Sequence, residues 1–382
     1  MNSRLVRGAL LIVLCCAYSD ATSAQEVYVP NFGNGDVSVL DADTQAPLAR
    51  IPVTLLADPR LSVDGQPSAV VFSADRKLAF VAISNGSHVA VIDTTTRTVV
   101  DYIATLPVTF DAMIFLHPSG DRLYVTSCTD PAISVIDVAT REMTGTIALP
   151  SGSYPMTFSQ NGHIGYVGNG YDGCGAVNGL YRVNLSTNTL LGFIPTSGAV
   201  SDVAVSPAGR FALATGGRIV VVDLVANAES GAVMCGLAPC SYLFGGGIEF
   251  NAMGTRAYAV DYFANTLSTI DTDPSSTRYL HELSRVPVTA TLNQGAWQVA
   301  VRQDRAYVIV LGFPGHMVTF DISTDTPVQL SVEPVGDYAY ELDVMWTLPS
   351  SMDECKNDGW KTFKGFRNQG DCVSFVVSKG QN

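Results

Sequence analysis

Beyond its first two dozen residues the chain has no apolar run long enough to cross a bilayer. Every stretch of about 18 residues is broken by charges or turn formers. Charge is sparse, at 15% of residues, and lopsided, with 22 Lys and Arg against 35 Asp and Glu for a net of −13. That balance excludes the basic footprint that holds phosphate backbones or anionic lipid. Histidine is scarce and scattered, at His88, His117, His163, His281 and His316, and none lies near a cysteine. With no Cys-x-x-Cys pair either, the spacings do not suit zinc. There is no Gly-x-Ser-x-Gly elbow. Gly245-Gly246-Gly247 follows no strand-to-helix pattern that would cradle phosphate. Asp41-Ala42-Asp43 and Asp271-Thr272-Asp273 lack the ligand series and glycine of a calcium loop and read as polar turns. No catalytic residue, metal or cofactor is implied.

What is present begins with an export signal. Arg4 and Arg7 precede an apolar stretch from Gly8 to Ala17, and Thr22-Ser23-Ala24 offers small residues for cleavage. The expected signal peptide is 1–24, placing the mature chain in the periplasm or outside the cell. Six cysteines remain after it: Cys128, Cys174, Cys235, Cys240, Cys355 and Cys372. An even number in an exported chain argues for three disulfides.

The dominant feature is a repeat. A β-branched run ending in Asp or Asn closes at Asp41, Asp93, Asp137, Asn184, Asp223, Asp271 and Asp321, a mean interval of about 47 residues. Upstream of each copy lie another apolar strand, such as Leu123-Tyr124-Val125-Thr126, and a turn, such as Pro118-Ser119-Gly120-Asp121. Alternating apolar residues between closely spaced turns read as strands throughout. Four antiparallel strands per unit of this length predict propeller blades, each with two apolar faces that only neighbouring blades can cover. The fold class is therefore all-β, a seven-bladed β-propeller over 25–349. The chain enters on Val27–Asn31, which matches a second strand, and its repeats end on Leu342–Thr347, which matches an innermost first strand. The closing blade is thus expected to be composite, with its inner strand from the C-terminal end and the outer three from the N-terminal end. A small tail, 350–382, follows.

These units resemble the YVTN family of β-propeller repeats, over roughly residues 26–348. The likeness rests on Tyr28-Val29-Pro30-Asn31, Tyr124-Val125-Thr126-Ser127 and Tyr166-Val167-Gly168-Asn169, with the Val-x-Val-Ile-Asp cores at Asp93 and Asp137. Phe80, Leu213 and Tyr307-Val308 mark degenerate copies. The chain also looks like the wider lactonase-like and quinoprotein-like propellers, some of which are enzymes. The resemblance implies an exported or surface-associated propeller and says little about chemistry. The tail is similar to a short C-terminal module of many secreted bacterial proteins. It carries Cys355, Trp360, Phe363, Phe366, Cys372 and Phe375, and a Cys355–Cys372 bridge would support so small a core. It reads either as a packed cap or as an attachment tag.

Loops joining second to third strands, and fourth strands to the next blade, share one rim. Function usually lives on such loops. Asp111, Tyr171, Asp172, Asp202, Tyr242, Phe244, Asp261, Tyr262, Trp297 and Tyr340 fall there and form the candidate ligand rim. Cys128 and Cys174 occupy the same loop in successive blades, so a bridge between them is geometrically sensible, and Cys235 and Cys240 would close a short loop. The function expected is a monomeric binding scaffold for a protein or small molecule, with no nucleic-acid partner. The alternatives are a lactonase-like or quinoprotein-like enzyme at the channel mouth, or a surface-attached structural protein.

Overall fold

The structure, a computed structural model, describes residues 25–53, 65–108, 112–171, 174–241, 245–289, 295–345, 351–353, 355–356, 360 and 369–379. The expected signal peptide, Asp111, Asp172, Tyr242, Phe244 and part of the tail lie outside the described residues, and only the backbone of Tyr171 and Cys174 is described.

Seven four-stranded antiparallel sheets make up the ring, joined by one two-stranded ribbon. Six blades are contiguous in sequence: blade 1 (66–108), blade 2 (112–148), blade 3 (156–195), blade 4 (202–232), blade 5 (245–287) and blade 6 (296–334). Blade 7 is composite, as the register of the repeat implied. Its inner strand is Asp343–Val344, pairing Val27 with Val344 and Tyr28 with Asp343. Its outer strands are Glu26–Asn31, Asp36–Asp41 and Pro47–Pro52. Among the described residues no helix is long and apolar enough to cross a membrane. A helix at Gln369–Lys379, which no strand pattern foreshadowed, lies in the tail and carries Cys372, bridged to Cys355 with Cα atoms 5.7 Å apart.

Period-2 alternation explains why the blades stack. Along the second strand of blade 7, Val27 and Val29 point into a cluster with Tyr307, Ile309 and Met317 of blade 6. The intervening Tyr28 points the other way, into a cluster with Val70 and Phe72 of blade 1, and its ring meets Phe72 edge-on at 4.9 Å. Each strand therefore feeds two cores. Seven apolar clusters result, one in every interface around the ring.

The Asp, or in blade 3 Asn184, ending each third strand caps the turn that follows. Asp93 Oδ1 accepts the amides of Thr95 and Thr96, at 2.9 and 2.8 Å, and Asp223 accepts those of Val225 and Ala226, both at 2.8 Å. Asp41 does the same for Asp43 and Thr44, so Asp41-Ala42-Asp43 is a capped turn. In five blades the residue four positions on, among them Arg97, Arg141 and Asn227, takes a left-handed backbone with φ between 53° and 61°. All seven third-to-fourth strand pairs then carry a bulge. The polar residue ending the Tyr-Val-x-Asn motif has a different task. Asn31 is fully buried, donates to Asp36 (2.6 Å) and Ser38 (2.8 Å), and accepts the Gly336 amide (2.8 Å) from the loop leaving blade 6. Asn169 likewise donates to Gly152 O at 2.7 Å, in the loop leaving blade 2.

Replacing Asn31 strands a buried amide where blade 7 meets the blade 6 loop. Asn31→Ala is expected to cost about 1–3 kcal/mol, read as a lower urea midpoint with an unchanged slope. A change below about 0.5 kcal/mol would mean that the fastening is dispensable.

Candidate functional site

Each innermost strand starts at the rim where the loops between blades arrive, so its first residues stand at that end of the axial channel. Three of these strands bulge in their first turns, at Pro67/Ala69, Gly245/Ile248 and Ala296/Gln298. A bulge re-aims the side chains beside it. It breaks strict alternation where Trp297 and Gln298 follow each other.

Three polar groups from three blades meet at this level. Asp202 opens the inner strand of blade 4, and its Oδ2 accepts the Ile248 amide of blade 5 at 2.9 Å while Oδ1 accepts Val203 N at 2.8 Å. Gln298 of blade 6 donates from Nε2 to Oε1 of Glu341 at 2.7 Å, and its own Oε1 accepts Val299 N at 2.8 Å. Glu341, buried, precedes the inner strand of blade 7. Burial pushes the Asp202 carboxyl from its ordinary 3.8 up to about 6, against the Ile248 and Val203 amides, which pull it down, and with the help of the Glu249 charge. Burial first, and the nearby Asp202 charge second, hold Glu341 well above the usual carboxylate range, with Gln298 opposing.

An arc of aromatic rings runs along the same rim across blades 5, 6 and 7. Tyr262 meets Trp297 edge-on at 5.7 Å, and Trp297 meets Tyr340 edge-on at 5.9 Å. The arc continues to Phe263 at one end, and through Tyr338 to Phe313 at the other, with Phe32 against Tyr340 at 5.1 Å. Phe263 and Phe313 are about two-thirds exposed, at 66% and 65%. Chain adjacency ties this arc to the polar groups, since Trp297 precedes Gln298 and Tyr340 precedes Glu341.

Of the expected rim residues, the structure brings Tyr262, Trp297 and Tyr340 into this arc and sets Asp202 beside it. Asp261 is fully buried, where it accepts the Ala264 amide at 3.0 Å and caps the turn. Gln298 and Glu341 were not singled out by sequence. Only the composite closure, with Glu341 one residue before the expected inner strand, pointed toward the latter. His316, at the start of a third strand, is buried, and burial lowers its pKa. His117 sits in a first-to-second strand turn on the opposite rim, its ring bonded to Ser119 and Gly162 O. Cys235 and Cys240 are bridged across the two-stranded ribbon, Cα atoms 4.8 Å apart. Glu282 lies close to both sulfurs, but the disulfide leaves no thiolate pair for a metal. Cys128 is also disulfide-bonded; the side chain of its expected partner, Cys174, lies outside the described residues.

No family model matches the chain, and no curated protein matches it. Among solved structures it is similar to hydrazine synthase from Kuenenia stuttgartiensis, with a TM-score of 0.60 and 18% identity over 74% of this chain and 88% of that one. At that identity the likeness establishes the shared propeller fold.

The shifted carboxyls set the direction of a pH dependence. Asp202 and Glu341 bind protons more tightly folded than unfolded, so their stabilising contribution is complete below the unfolded values and is lost as pH rises toward the folded ones. The turn aspartates act oppositely. Backbone amides hold Asp93, Asp137 and Asp223 below the ordinary range, and their contribution is lost only as pH falls through those lower values. Stability to urea is expected to fall between about pH 4 and pH 6.5, on the order of 1–2 kcal/mol after allowance for solvent at Asp202. Asp202→Asn should reduce that slope, with Glu341 carrying the remainder; an unchanged slope would remove Asp202 as a source.

Proposed function

We propose that this chain is an exported, non-enzymatic binding scaffold of the YVTN-repeat type, whose ligand sits at the axial mouth over blades 5, 6 and 7. The observation that carries this reading is the continuous aromatic arc through Tyr262, Trp297 and Tyr340. Rings held edge-to-face keep fixed orientations, and large amphipathic rings on a rigid frame supply contact area at little entropic cost. Bridged cysteines at 235–240 and 355–372 support an oxidising compartment, in keeping with a signal peptide at 1–24 and release outside the cytoplasm. A boundary between ring and tail at about residue 350 is supported by Asp343–Val344 being the last strand of the closing blade.

A second reading, an enzyme acting at the same mouth, draws on one observation. Burial biases the neighbouring Asp202 and Glu341 carboxyls toward holding a proton beside the aromatic arc, the condition of a general acid.

Native purification followed by denaturation and mass analysis of what is released tests the first reading. A small organic molecule is expected from the wild type, and a yield at least about tenfold lower from Trp297→Ala combined with Tyr340→Ala. Leu237→Ala, at the exposed tip of the disulfide ribbon, should release as much as the wild type. Equal release from all three proteins would place the ligand elsewhere, and a released quinone or a catalytic metal would favour the enzyme.

A further inference from the structure

The two rims differ in charge. Among the described residues, the loops between blades and the second-to-third strand turns carry Asp130, Asp337 and Glu341, with Asp202 and Asp261 at the adjoining strand ends. Arg218 is their single basic residue. Arg76, Lys77, Arg97, Arg141 and Arg210 instead fall in turns of the opposite rim, where Arg97 pairs with Glu26 at 2.6 Å and Lys77 with Asp75 at 3.8 Å. The aromatic arc therefore lies on the rim whose loops carry less positive charge, although Arg50, from the outer strand of blade 7, reaches the Gly336 loop and pairs with Asp36 at 3.7 Å.

An aromatic face presents negative potential to a ligand, and a nearby carboxylate adds to it. The two kinds of group meet here through Trp297-Gln298 and Tyr340-Glu341. The carboxylates are not vacant acceptors waiting for N–H donors. Both Asp202 oxygens take backbone amides, and Glu341 takes the Gln298 amide. The site thus sets charge beside aromatic rings more than it offers hydrogen-bond acceptors, and Trp297 is held in place there by packing against the cluster between blades 1 and 2. Primary ammonium and guanidinium ions need several acceptors to replace their water. A quaternary alkylammonium has no N–H, is weakly hydrated, and gains most from ring faces.

We propose that the mouth over blades 5, 6 and 7 binds an organic cation of the quaternary ammonium class, with Trp297 and Tyr340 as its walls and the Asp202 carboxylate, set beside Gln298 and Glu341, as the charge of its floor. This rests on the reading of that rim as the ligand site and names the ligand's chemistry. Charge complementarity selects the occupant: the same rings with neutral neighbours would suit an uncharged sugar or alcohol equally well. The floor also links binding to pH. A cation favours the ionised carboxylates, so affinity rises as Asp202 loses its proton and protons are released on binding.

The test uses the full secreted chain and two probes of the same shape, choline and its uncharged isostere 3,3-dimethylbutan-1-ol, followed by tryptophan fluorescence and calorimetry. Choline is expected to bind at least about tenfold more tightly than the alcohol. Trp297→Ala and Tyr340→Leu should each remove most of that preference, and choline affinity should fall several-fold from pH 7.5 to pH 5. Asp202→Asn should abolish that pH dependence while leaving the ring folded, as judged by far-UV circular dichroism. Equal affinity for the two probes, with Trp297→Ala weakening both, would overturn the cation inference and leave the rim as a site for neutral ligands. If neither probe binds, the cation inference falls. Whether the rim reading falls with it is then decided by the mass analysis of natively purified protein, which uses no probe.

Discussion

Every blade of this ring has two apolar faces, and neither can be left in water. A four-stranded sheet on its own would expose one face or the other, so the only arrangement that buries both is a closed circle in which each blade is covered on each side. The consequence falls on the ends of the chain. Val27 and Val29 must be covered by blade 6 and Tyr28 by blade 1, so the N-terminal strand sits between blades that lie nearly two hundred residues apart in sequence. The pairing of Val27 with Val344 supplies the missing inner strand and joins the two ends of the repeat array. Without it the inner edge of blade 7 would be open.

Apolar stacking does not fix the angle between blades, because it has no direction. Polar side chains do. The inner strand of each blade turns one edge of unpaired amides and carbonyls toward the axis, and neighbouring blades satisfy part of that edge. Asp343 accepts Phe72 N of blade 1 at 3.2 Å, Glu249 accepts Val301 N of blade 6 at 2.7 Å, and Asp202 accepts Ile248 N of blade 5 at 2.9 Å. Ser68 donates to Ala112 O of blade 2 at 2.6 Å, and Thr126 to Tyr154 O in the loop entering blade 3 at 2.7 Å. Carboxylates buried to hold the ring together are the same groups that give the axial mouth its charge. Structural fastening and a polar site floor are one set of atoms, and Asp202 belongs to both.

The candidate site was partly legible before the structure. Tyr262, Trp297 and Tyr340 could be placed on one rim because each follows or precedes a recognisable strand, and the ring returns every such position to the same side. Their mutual contacts could not be read, since they come from three blades and from a loop whose path depends on the fastening at Asn31 and Gly336. Asp261 looked like a rim carboxylate and is buried, because a residue ending a second strand can turn inward to cap its own loop. Gln298 escaped attention because only the bulge between Ala296 and Gln298 brings it to Glu341. A bulge leaves no mark in composition.

The sequence by itself determined the number of blades, the strands within them and the composite closure. Those follow from alternation, turn chemistry and a repeat that recurs at even spacing, and all three are local properties of the chain. The tertiary structure alone decided which rings touch, which carboxyls share a neighbour and which polar groups are buried. Those depend on distances between residues far apart in sequence, and those distances exist only once seven apolar interfaces have closed the ring.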